Sequence, residues 1–90
     1  MDMVRMPKVT IYSSMFCPYC HRAKALLQHK GAAYDEIDVD TTPGARPEMT
    51  RRAKGGYTVP QIFIGDAHVG GCDELYALDA AGRLDAMLAG

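Results

Sequence analysis

Phe16-Cys17-Pro18-Tyr19-Cys20-His21 is the stretch on which the reading of this chain turns. Its thiols lie between two patterns of different period. Before them runs Lys8-Val9-Thr10-Ile11-Tyr12, β-branched and aromatic, which predicts a strand buried on both faces. After them Ala23, Leu26 and Leu27 recur at the spacing of a helix with one apolar face, over Pro18 to Lys30. Strand, CxxC, helix is the context of a redox dithiol rather than of half a zinc site. Zinc would need two further ligands at ligand-like spacing. Cys72, His21, His29 and His68 supply no second CxxC or HxxxH pair.

Position then dictates chemistry. A cysteine entering a helix faces unpaired N–H groups and the positive end of the helix dipole. Both favour a thiolate over a thiol, which makes Cys17 the expected nucleophile. Pro18 suits the first helical position, where no N–H is needed. Cys20, one turn further in, shares that side of the helix and can attack a disulfide formed at Cys17. His21 reads as a surface residue with a minor electrostatic role.

Ninety residues allow one domain, residues 1–90, near the small end of what folds alone. A net charge of −1 gives no reason to expect nucleic acid or an anionic membrane as partner. Three cysteines are an odd count with two already in the CxxC, so a disulfide-stapled secreted scaffold is not expected and a reducing compartment fits better. Met1 to Pro7 contains Asp2 and Arg5 and no apolar core, so it reads as a short loose arm and not a signal peptide. No apolar run approaches membrane-spanning length.

Further along, Gly31 offers the left-handed residue that ends the first helix. Tyr34 to Val39 alternates well enough to predict a second strand, parallel to the first through a right-handed crossover. After the turn chemistry of Asp40 to Gly44, Ala45 to Ala53 predicts a second helix with Pro47 in its first turn. Its many charges (Arg46, Glu48, Arg51, Arg52) predict a solvated surface helix, ended by Gly55-Gly56. Gln61-Ile62-Phe63-Ile64 and Ala67-His68-Val69 read as a hairpin about Gly65-Asp66. Asp73 is the expected N-cap of a final helical stretch that Gly82 interrupts.

Read together, Cys17-Pro18-Tyr19-Cys20, Thr58-Val59-Pro60-Gln61-Ile62-Phe63-Ile64 and Gly70-Gly71-Cys72-Asp73 resemble the glutaredoxins of the dithiol, bacterial type, from about Lys8 to the C-terminal end. The resemblance implies an α/β, thioredoxin-like fold: a four-stranded mixed sheet, order 2-1-3-4, flanked by helices. It implies a cytoplasmic, monomeric, glutathione-dependent oxidoreductase that reduces protein disulfides and glutathionylated proteins, with Cys17 and Cys20 catalytic. Glutathione would be the co-substrate, and no metal is expected.

The same resemblance implies the ligand's path. The Val59-Pro60 bond is expected to be cis, with Val59 offering its backbone to the cysteine of glutathione as a neighbouring strand would. The γ-glutamyl carboxylate would meet the N–H groups of Cys72 and Asp73, and the Asp73 carboxylate the α-amino group. Gly71 allows close approach, and Tyr19 and Thr58 flank the ligand. Two positions depart from the family pattern. A lysine common in the family three residues before the nucleophile is Ser14 here, and the basic residue often found before Thr-Val-Pro falls at Gly56-Tyr57. Arg52 and Lys54 remain as stand-ins.

Cys72 reads as a half-buried small residue, with a redox-modified thiol as the alternative. Two competing functions stay open: reduction by thioredoxin reductase, and a dimeric carrier of a two-iron, two-sulfur cluster held through Cys17 and glutathione. By resemblance, Pro18 counts against the second.

Overall fold

The first strand, β1 (Val9–Ser13), is buried along its whole length, as its apolar and β-branched residues predict. A computed structural model describes residues 7–90, so all of the expected Met1 to Pro7 arm except Pro7 lies outside the described residues. Helix α1 (Pro18–His29) follows, burying Cys20, Ala23, Leu26 and Leu27. It ends in a Schellman motif: Gly31, at φ +71°, donates to the Gln28 carbonyl, and the Ala32 N–H to that of Leu27. Strand β2 (Asp35–Asp38) is shorter than the alternation from Tyr34 to Val39 suggested, with parallel pairing to β1.

Helix α2 (Ala45–Arg52) corrects an expectation. Arg46 and Arg51 do face water, but Glu48 and Arg52 turn toward the Tyr12 hydroxyl, and Ala45, Met49 and the following Ala53 form a buried stripe against Tyr12, Val39 and Phe63. One residue every four is enough to bury a helix on one side, and the abundant charges mask so narrow a stripe. Its end is also unexpected. The left-handed residue is Lys54, at φ +55°, and the N–H of Gly55 then reaches back to the Thr50 carbonyl.

Strands β3 (Gln61–Ile64) and β4 (Ala67–Gly70) form the expected hairpin, with Gly65 at φ +60° in its turn. Helix α3 (Cys72–Ala80) and the short α4 (Leu84–Ala89) are separate, with Gly82 between them. The sheet order is β2-β1-β3-β4, with β1/β2 parallel and the other pairs antiparallel. The expected fold class and strand order are therefore both found. Ile11, Leu27, Ile62, Leu75 and Leu84 join α1, α3 and α4 to one face of the sheet, while α2 closes the other.

Candidate functional site

Topology brings together the three segments that the sequence singles out. β1 ends, β3 begins and β4 ends at one edge of the sheet, because β3 is antiparallel to both neighbours. The loop carrying Cys17, the loop carrying Thr58-Val59-Pro60 and the start of α3 must therefore meet. They do so around a cleft of about 330 Å³, lined by Tyr19, Thr58, Val59, Pro60 and the first turn of α3 from Gly71 to Glu74. A larger groove of about 650 Å³ lies at the opposite end, near Lys30, Tyr34 and Leu88, and has no cysteine in its walls. Chemistry, not size, selects the smaller cleft.

Cys17 is the N-cap of α1, with extended backbone, and Pro18 holds the first helical position. The Cys20 backbone N–H donates to the Cys17 sulfur at 3.1 Å, as an N-terminal N–H does to a serine or aspartate cap. On its other side the Cys17 thiol donates to the Val59 carbonyl at 3.7 Å. The Val59-Pro60 bond is cis. Cys17 is 9% exposed and Cys20 fully buried. Burial, then the hydrogen bond with Cys17, pushes the Cys20 thiol up to about 12, against the lowering effect of the Ser14 N–H and Lys24. All three cysteines are free.

At α3 the N-cap is Gly71, not Asp73, which occupies the second helical position and is exposed. Gly71 has no side chain to cap with, but Glu74 reaches back to its N–H at 2.8 Å, completing half a capping box. The N–H groups of Cys72 and Asp73 belong to the first turn and have no acceptor within the helix. Cys72 is more buried than expected, at 4% exposure, and burial pushes its thiol up. His21 is exposed, with Nε2 3.0 Å from the Met15 carbonyl.

Ser14 and Arg52 both have partners of their own, and Lys54 is exposed just past the end of α2. The hydroxyl of Ser14 donates to Asp40, which also pairs with Arg46 at 3.0 Å. Arg52 lies over the Phe63 ring, 4.1 Å from its centroid, and donates to the Tyr12 hydroxyl at 2.9 Å. Its charge is thus directed at the second core. Among the described residues no group of three or more His, Cys, Asp or Glu side chains could hold a metal ion. No helix there is long and apolar enough to cross a membrane.

The sequence reading did not single out Gln61. Its signal was an amide opening an otherwise apolar strand, directly after the proline of the site loop. Tyr19 is in the cleft wall but 56% exposed.

A sheet of this order, with a dithiol at the start of α1 and a cis-proline loop against it, has the thioredoxin-like fold. Residues 9–69 match the sequence model of the Glutaredoxin family. Over 83 residues the chain is 58% identical to a glutaredoxin of Pseudomonas aeruginosa, covering 92% of this chain and 98% of that protein. Over 83 residues it is 55% identical to Glutaredoxin 3 of Escherichia coli K12, covering 92% and 99%. The crystal structure of a buckwheat glutaredoxin–glutathione complex superposes with a TM-score of 0.82 at 34% identity, covering 89% of this chain and 74% of that one. The chain belongs to the glutaredoxin family, whose members are glutathione-dependent thiol–disulfide oxidoreductases.

Proposed function

We propose that this protein reduces glutathionylated proteins and protein disulfides through Cys17 and Cys20, with glutathione as electron donor, as a monomer in the cytoplasm. The observation that carries the reading is the placing of the Cys17 sulfur. It caps a helix, accepting a hydrogen bond from the Cys20 N–H and donating one to the carbonyl of Val59, a residue that lines the cleft.

In the monothiol reaction, Cys17 thiolate attacks the glutathione sulfur of a protein–glutathione disulfide. The protein leaves as a thiolate and takes a proton from solvent. A second glutathione thiolate attacks the Cys17–glutathione bond, regenerating Cys17 thiolate and releasing glutathione disulfide. With a protein disulfide, Cys17 thiolate attacks one sulfur, breaking the S–S bond, expelling the first protein thiolate and leaving a mixed disulfide. Cys20 then loses its proton and attacks the Cys17 sulfur, expelling the second protein thiol. Two glutathiones reduce the resulting Cys17–Cys20 bond. Glutaredoxin potentials near about −200 to −230 mV allow glutathione to drive this in a reducing cytosol.

Cleft chemistry supports glutathione as the occupant. The free N–H groups of Cys72 and Asp73 suit a carboxylate, and the exposed Asp73 carboxylate suits an ammonium. Val59 offers backbone for strand-like pairing, with Tyr19, Thr58, Pro60 and Gly71 as walls. The test is turnover of a glutathionylated protein and of a protein disulfide with glutathione as sole reductant. Cys17→Ser abolishes both reactions, and Cys20→Ser abolishes only the second. Turnover by Cys17→Ser, or reduction only with thioredoxin reductase, refutes the reading.

A further inference from the structure

Gln61 is a polar residue where the strand pattern calls for an apolar one. It opens β3, pairs in register with Tyr12, and is 5% exposed. A buried amide is costly unless both its ends are bonded. Here Nε2 donates to the Thr58 carbonyl at 3.0 Å, and Oε1 lies 2.6 Å from Nε2 of His68 on β4. A carbonyl can only accept, so the amide nitrogen must face Thr58. The amide oxygen then faces His68, which must donate from Nε2. The neutral Nε2–H tautomer and the imidazolium both supply that donor. His68 is itself stacked on Phe63, with ring centroids 4.9 Å apart and planes at 25°.

The segment that this amide grips is otherwise held by the Cys17 thiol at the Val59 carbonyl and by the packing of the Val59 side chain on the cluster around Tyr12 and Phe63. Among the described residues, Tyr57, Thr58 and Val59 make no backbone–backbone hydrogen bond. The loop also closes tightly on the amide. A Cβ at Gly56 would come within 3.1 Å of both Gln61 Nε2 and Ala53 Cβ. A side chain at residue 56 and the Gln61 amide compete for one space.

We infer that Gln61 is a positioning residue for glutathione binding. By fixing the Thr58 carbonyl it sets the peptide plane leading into Val59, and so the direction in which Val59 presents its N–H to the cleft, while the Val59 C=O belongs to the next peptide and accepts from Cys17. It touches neither the sulfurs nor the ligand. The inference rests on the cleft being the glutathione site proposed above.

The test is Gln61→Met, which keeps side-chain length and loses both polar ends. Kinetics are measured with the mixed disulfide of glutathione and β-mercaptoethanol as varied substrate. Losing one positioning hydrogen bond raises its KM by between about twofold and tenfold. Neither kcat nor the rate of Cys17 alkylation by iodoacetamide changes. His68→Phe keeps a ring over Phe63 and removes the donor to Oε1, so KM moves the same way by less. It also serves as the test if Gln61→Met does not fold. An unchanged KM in a folded Gln61→Met, or in His68→Phe where Gln61→Met fails to fold, overturns the inference. So does a loss of alkylation rate that tracks KM, because general loosening would produce it. If the wild type fails to turn over this substrate with glutathione, the site reading itself is wrong. Wild-type turnover with unmoved variants sinks only the role of Gln61.

Discussion

The backbone N–H of Cys20 donates to the sulfur of Cys17, so the thiol proposed as nucleophile is also the cap of its own helix. Serine is a good cap and alanine is not. Cys17→Ser and Cys17→Ala are therefore expected to be equally inactive but unequally stable. Alanine should cost about 1 kcal/mol relative to serine, read as a shift of the urea midpoint at constant slope. Equal midpoints would mean that a side chain at residue 17 does not cap α1.

Cys20 differs from its neighbour in kind. With its thiol held up at about 12 and fully buried, it should escape iodoacetamide at neutral pH while Cys17 is modified. Mass spectrometry of the labelled, then digested protein reads this directly. The linkage has a definite sign. An unfolded cysteine ionises near about 8.5, whereas the native one stays protonated, so stability is full below that pH and falls as pH rises above it. Cys20→Ser should flatten the alkaline decline. A decline equally steep in the serine variant would show that another group causes it.

Met49 tests the correction made to α2. Were this helix merely solvated, Met49→Ala would be nearly neutral. With the side chain fully buried beneath Tyr12 and Phe63, the substitution should cost about 2–5 kcal/mol in chemical denaturation.

Lys54 predicts a gain. A residue with a Cβ held at φ +55° costs roughly 1 kcal/mol relative to glycine, and Lys54 is exposed with no ion pair among the described residues. Lys54→Gly should raise stability by up to about that amount, read as a rise in the denaturation midpoint. A fall in the denaturation midpoint would count against the left-handed assignment.

Whatever rests on neighbours along the chain could be read from the residues. The CxxC at a helix start, the apolar stripe of α1, its Gly31 ending and the buried run of β1 were legible because local conformation and period carry them. The resemblance supplied the strand order and the cis-proline loop, which spacing does not contain. Tertiary structure alone decided the rest, because those features depend on groups that meet only after the chain has closed. Arg52 is drawn to Tyr12 and Phe63 across 40 and 11 positions of sequence, which removes it as a stand-in cation. Gly71 rather than Asp73 caps α3 because Glu74 turns back to satisfy it. Gln61 is tolerable in a core strand only because Thr58 and His68 take up both ends of its amide.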